Sequence, residues 1–191
     1  MPDTFTVDLT ADDQKLLAQV VDFYHQTLKE SADALAYLHQ RGVTSAQAVD
    51  HFRLGYANRT LGTVLPSKDT QLGRDIRGRL QRLGLFRTSG HEQFAGCVVF
   101  PVPAADATNR IVDLYGRKTG MQLRKGTPLD MFVGNQRQGV WNIEAVAASE
   151  EIGRRPGMRL CSCSASGWYR WHLWLGWLDG NVCLQLSEHV G

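Results

Sequence analysis

Cys161 and Cys163 form a CxC pair, the one spacing in this chain that a metal ion could use directly. A structural zinc needs four ligands, normally two such pairs. The other two cysteines, Cys97 and Cys183, stand alone. The six histidines (His25, His39, His51, His91, His172 and His189) include no pair at i,i+4. There is no phosphate-binding P-loop, no GxGxxG, no HExxH and no nucleophile elbow. His25 and His39 fall beside apolar residues of helical segments and read as packing or surface residues. Cys97 lies in an apolar run and reads as core.

Cations are the remaining chemistry. Net charge is only +2, but it is unevenly placed. Residues 1–52 carry three basic and eight acidic side chains, a balance of −5; residues 53–155 carry sixteen and nine, a balance of +7. A basic middle can serve a polyanionic partner or form a solvated face. Four scattered cysteines suit a reducing, cytoplasmic setting. The start has no basic-then-apolar leader pattern, and no stretch approaches the ~20 apolar residues of a membrane span, so no membrane is expected as a partner.

The elements that must position these cations come in two styles. Thr10-Ala11-Asp12-Asp13 has the form of a helix cap, and Leu16, Leu17, Val20, Val21, Tyr24 and Leu28 follow at helical spacing. Ser31 opens a second helix carrying Leu35 and Leu38, and Gly42 closes it. Thr44, with Gln47 three residues on, opens a third helix running to Phe52. A fourth is predicted over Leu72–Leu83, with Arg74, Arg77, Arg79 and Arg82 on its surface and Gly84 as its stop. Then the pattern becomes β: "CVVFPV" (97–102) and "RIVDLYG" (110–116) form a hairpin joined by "PAADATN". "GVWNIEAVAASEE" predicts a strand or turn leading into a helix. Helices first and strands later give an α+β class: N-terminal helices packed with a small, largely antiparallel sheet.

Several of these stretches, in order, resemble the N-terminal part of the catalytic core of bacterial DnaG-type DNA primases, especially short mobile-element forms. "FYHQTLKESADALAYLHQRGVTSAQAVDHFRLGYA" (23–57) carries the Tyr-Leu-x-x-Arg-Gly and Phe-x-Leu-Gly-Tyr-Ala pattern. "LQRLGLF" (80–86), "FAGCVVFPV" (94–102), "IVDLYGRK" (111–118) and "GNQRQGVWNIEAV" (134–146) follow in family order. The resemblance covers about residues 20–152. It divides the chain into an N-terminal extension and helix start (1–22), a primase-core N-terminal-like domain (23–152) and an atypical tail (153–191).

The resemblance implies a role in primer synthesis, with a single-stranded DNA template and an RNA–DNA hybrid as partners and a replicative helicase as a further one. It places nucleic-acid contacts at Arg117 and Lys118, at Arg124 and Lys125, and at Arg137, while Tyr24, Tyr37, Leu38, Phe52 and Tyr56 fall to the core. A complete primase core needs Mg²⁺ held by the clustered acids of its TOPRIM subdomain. Here Glu150-Glu151-Ile152 stands where the first metal-bearing strand should begin, and "GRRPG" follows with no acid. Beyond it lie only Asp179 and Glu188. No cofactor is therefore expected on this chain alone, and no catalytic residue is assigned. The expected function is a primase fragment that contributes template binding without catalysing synthesis. The alternative is a non-catalytic single-stranded-DNA-binding or replication-accessory module. The tail, with Trp168, Trp171, Trp174 and Trp177 at every third position, is expected to be a frameshifted or replaced end.

Overall fold

The computed structural model describes residues 10–104, 110–120, 123 and 125–133, together with the backbone of 151–153 and 161–163. Helix α1 (Ala11–Glu30) starts where Thr10 caps it, the threonine hydroxyl accepting from the Asp13 amide. Its apolar stripe, Leu17, Val20, Val21, Tyr24 and Leu28, is buried. Ser31 ends α1 and caps α2 (Ala32–Gln40). After Arg41, Gly42 turns the chain at φ +87°, a value glycine adopts at little cost. The cap of α3 (Ala46–His51) is Ser45, not Thr44. Both residues carry a hydroxyl, and the helix starts one residue later than the Thr44–Gln47 spacing suggests. A four-residue helix α4 (Leu61–Val64) precedes α5 (Gln71–Arg82), which Thr70 caps.

The strands are β1 (Gly55–Ala57), β2 (Cys97–Pro103), β3 (Ile111–Lys118) and β4 (Asp130–Phe132), in one sheet of order β1-β2-β3-β4. All neighbours are antiparallel. The class is therefore α+β with an antiparallel sheet, as the sequence pattern predicts. The predicted hairpin is β2–β3. Its register pairs Val98 with Arg117, Phe100 with Tyr115 and Val102 with Asp113.

Helices cover both faces of this sheet. Cys97, Val99 and Leu114 meet Leu17, Val20, Val21 and Tyr24 of α1 and Leu80 of α5 in one core. Val98, Phe100, Val102 and Tyr115 meet Leu28, Ala34, Leu38, Val49 and Leu54 in the other. Burial on both faces explains why β2 reads as an unbroken apolar run rather than an alternating one. Tyr37, Phe52 and Tyr56 pack at the margin of the second core. The first core needs two close approaches. A Cβ on Gly55 would lie 2.6 Å from Tyr24 Cβ, and one on Gly116 would lie 2.3 Å from Phe94 Cδ1. Because α1 runs unbroken through Phe23, its first half shares this core with the rest of the domain.

Two further short strands, β5 (Glu151–Gly153) and β6 (Cys161–Cys163), pair antiparallel as a separate two-stranded sheet. The CxC pair thus lies on β6. The predicted helix after Trp141, the Trp ladder and Cys183 fall outside the described residues.

Candidate nucleic-acid interface

Antiparallel order gathers one set of strand ends. The C-terminal ends of β1 and β3 and the N-terminal ends of β2 and β4 meet at the same edge, where Ala57 pairs Cys97, Cys97 pairs Lys118, and Arg117 pairs Asp130. The basic segment that follows β3 therefore opens at this end of the sheet.

Successive side chains on a strand point to opposite faces, so Arg117 and Lys118 separate. Arg117 turns into the α2 side and is only 4% exposed. Its Nη1 donates to both carboxylate oxygens of Asp130, at 2.8 Å each. Tyr115 Oη donates to the same carboxylate at 2.6 Å, and Tyr37 of α2 also hydrogen-bonds the guanidinium. Burial opposes the arginine's charge, but the Asp130 hydrogen bonds and charge outweigh it and hold its pKa above the ordinary value. Burial, then the Asp130 hydrogen bond, pushes the Tyr115 phenol up. Rings of Phe100, Tyr115 and Phe132 pack beside this network, tilted by 40° and 44°, with centroids 5.5 and 5.2 Å apart. In this arrangement Arg117 ties β3, β4 and α2 together.

Lys118 points to the other face and is half-buried. Its Nζ donates to the Ala95 carbonyl, which leaves further ammonium protons for an anion. The β3–β4 connection closes back on the strand through Lys118 N to Leu129 O, 2.9 Å. Lys125 stands exposed on that connection, before Gly126 at φ +86°. The structure thus brings Lys118 and Lys125 to one end of the sheet and sends Arg117 inward. Arg124 and Arg137 lie outside the described residues.

Two cations that the motifs do not single out arrive at the same end. Arg59 follows β1, and Arg87 follows α5; both are exposed. Long-range pairing brings them there: Phe86 bridges Glu92, and Gly96 N donates to Ala57 O at 2.6 Å. The α5 arginines serve the fold more directly. Arg77 donates to the Gly62 and Pro66 carbonyls at 3.0 and 3.2 Å, and Arg79 holds Asp13 at 2.9 Å.

The described carboxylates do not fit a catalytic Mg²⁺ pair. No group of three His, Cys, Asp or Glu side chains converges among the described residues. Glu92 is buried, accepting from Leu61 N at 2.9 Å and Tyr24 Oη at 3.2 Å. Asp113 accepts from Leu114 N at 2.8 Å and Val133 N at 3.3 Å. Asp130 serves Arg117 and Tyr115. His25 bridges the Leu54 carbonyl, 2.7 Å, and Asp50, 3.1 Å, and so joins α1 to α3 as a packed residue. Each of these acids is engaged in holding the fold.

The described residues thus form a helix-backed, four-stranded antiparallel sheet with Lys118 and Lys125 at one end. Residues 23–127 match the family of the DNA primase catalytic core, N-terminal domain. The chain belongs to that family. It is 27% identical over 107 residues to the DNA primase of Haemophilus influenzae, covering 54% of this chain and 17% of that protein. The fold is similar to the solved DnaG catalytic core, at TM-score 0.53 and 22% identity over 73% of this chain and 45% of that one. It is also similar to a DnaG primase catalytic domain bound to single-stranded DNA, at TM-score 0.55 and 19% identity over 73% and 46%. A third likeness is the Aquifex aeolicus primase with its zinc-binding and RNA polymerase domains, at TM-score 0.52 and 21% identity over 72% and 33%. The chain therefore spans about a sixth of the curated relative and less than half of each of these solved chains. Among the described residues no helix is long and apolar enough to cross a membrane.

Proposed function

We infer that this chain is the nucleic-acid-holding subdomain of a DNA primase core, gripping the template strand and the RNA–DNA hybrid at the basic end of its sheet. By itself it does not synthesise primers. One observation carries this reading: Lys125, exposed, and Lys118, half-buried with ammonium protons to spare, lie at one strand end, while the carboxylates near them are engaged with backbone amides, Arg117 or tyrosines. A phosphodiester chain supplies the anions that such a surface lacks. Family membership supports the reading, as does the likeness to a relative solved with single-stranded DNA.

Lysine contacts to phosphate release counterions, so affinity should fall steeply with salt. The test is fluorescence anisotropy of a labelled oligothymidine with the whole chain, titrated at several salt concentrations. Lys118→Gln and Lys125→Gln should each make the slope of log K against log salt shallower by about 0.7. Salt-independent binding, or slopes unchanged in both variants, would contradict it.

A further inference from the structure

Among the described residues, Arg53 and Arg59 are the two non-glycine residues with positive φ, +48° and +74°. Side chains with a Cβ enter this region at a cost, and such residues cluster where a site requires them. Arg53 has a visible structural reason. It follows α3, and its guanidinium holds Asp22 and the Ala18 carbonyl of α1. Arg59 has no such reason. Its side chain is exposed and makes no hydrogen bond or ion pair with another described residue. Asn58 helps to hold the turn, its Oδ1 accepting from Thr60 N at 3.1 Å, so the strain is maintained locally.

That turn brings Arg59 over the buried Glu92, whose carboxylate its charge favours, and beside two further cations. One guanidinium nitrogen of Arg59 lies 3.9 Å from the point a Cβ on Gly96 would occupy. Lys118 bonds the adjacent Ala95 carbonyl. Arg87 donates from Nε to Gln93 Oε1 at 2.9 Å, and it lies close enough to Cys97, as Lys118 does, to favour a thiolate there. Three cations thus surround the turn Gln93–Gly96. The one acid beneath them, Glu92, is 6% exposed and already bonded to Leu61 and Tyr24. Three cations over one buried acid that is already hydrogen-bonded leave an excess of positive charge, which favours an anion between them.

We propose that Arg59, Arg87 and Lys118 form a phosphate seat over the Gln93–Gly96 turn, and that Arg59 is held in its strained conformation to build it. The proposal rests on the nucleic-acid-binding reading above and extends it across the sheet. From the β1 end to the β4 end is three strand spacings, roughly 14 Å at about 4.8 Å each. That is room for about four phosphates of a stacked strand at ~3.4 Å apiece. The phosphate belongs either to the strand or to an incoming nucleotide.

The experiment uses the whole chain, labelled oligothymidine and the variants Arg59→Gln, Arg87→Gln, Arg59→Gly and Lys15→Gln. Lys15 is exposed near the start of α1, which Gln14 fastens to Ile111 at the opposite end of β3. At ~0.15 M salt, Arg59→Gln and Arg87→Gln should each weaken binding about fourfold and make the salt slope shallower by about 0.7, while Lys15→Gln changes neither. Arg59→Gly should lose the same affinity while resisting urea as well as or better than the parent, because it relieves the positive φ. Tripolyphosphate that displaces the strand from the parent but not from an Arg59→Gln/Arg87→Gln double variant would mark a nucleotide-phosphate seat. Loss of strand binding without such competition would mark a phosphodiester seat. Parent-like binding by both single variants, with Lys118→Gln and Lys125→Gln still weakened, would overturn the seat and leave the wider reading intact. Arg59→Gly that unfolds more easily than the parent would show a structural role and overturn it too. Absence of salt-dependent binding by the parent would remove the wider reading itself.

Discussion

Arg117 and Asp130 face each other across β3 and β4, one guanidinium nitrogen 2.8 Å from both carboxylate oxygens. The pair sits at the base of the β3–β4 connection and is sealed by Tyr115, Tyr37 and the Phe100–Tyr115–Phe132 rings. An arginine in the family's Gly-Arg position thus acts here as a buried clasp beneath the basic end.

Breaking the clasp should therefore cost stability more than affinity. Removing one partner of a buried ion pair leaves an uncompensated charge, typically about 3–5 kcal/mol. Arg117→Met or Asp130→Asn alone should lower the urea midpoint markedly. The double variant Arg117→Met/Asp130→Leu should recover most of the loss, because apolar replacement of a whole buried pair is often near neutral. Its salt slope for oligothymidine should match the parent's. A slope shallower by about 0.7 in the refolded double variant would place Arg117 on a phosphate instead.

Gly116, directly before the clasp, leaves space for Phe94. A Cβ there would meet Phe94 Cδ1 at 2.3 Å, and the ring is fully buried, with little room to yield. Gly116→Ala should cost about 1–3 kcal/mol by overpacking, measured by urea denaturation. Gly55→Ala, which meets the Cβ and backbone of Tyr24, should cost at least as much. A neutral result at both positions would mean that α1 and the sheet are less closely packed than described.

The strand pattern was legible in outline, and particular residues show where it stopped. The caps at Thr10 and Ser31, the stop at Gly42 and the β2–β3 hairpin are local events, decided within a few residues. Strands β1 and β4 are three residues each and gain their identity only by pairing with β2 and β3. The same limit governed the candidate site. "GRK" gives Arg117 and Lys118 equal standing as cations. The strand's two-residue period requires them to face opposite ways, but only the partner at Asp130 decides which one is buried. Arg59 and Arg87 carry no motif, and they reach the site through the contacts Ala57–Gly96 and Phe86–Glu92.

Cys97 offers a test of the core beside the basic end. Burial pushes its thiol from an ordinary 9.0 to about 11. The folded state therefore keeps its proton more tightly than the unfolded state. The resulting stabilisation is complete below about pH 9 and is lost as pH rises toward 11. Urea midpoints of the parent should fall through that window more steeply than those of Cys97→Ala. At pH 8 the native Cys97 peptide should resist iodoacetamide and label only on unfolding, as read by mass spectrometry. Rapid native labelling would contradict the burial.

The central claim is that this chain holds nucleic acid without itself carrying the chemistry of primer synthesis. The most direct measurement pairs two readouts on one preparation of the whole chain: oligothymidine binding in the presence and absence of a chelator, and primer synthesis on a single-stranded template with ribonucleotides and Mg²⁺ or Mn²⁺. The account predicts salt-sensitive binding that ignores the chelator, and no primers with either metal. Robust primer synthesis, or binding abolished by the chelator, would contradict it.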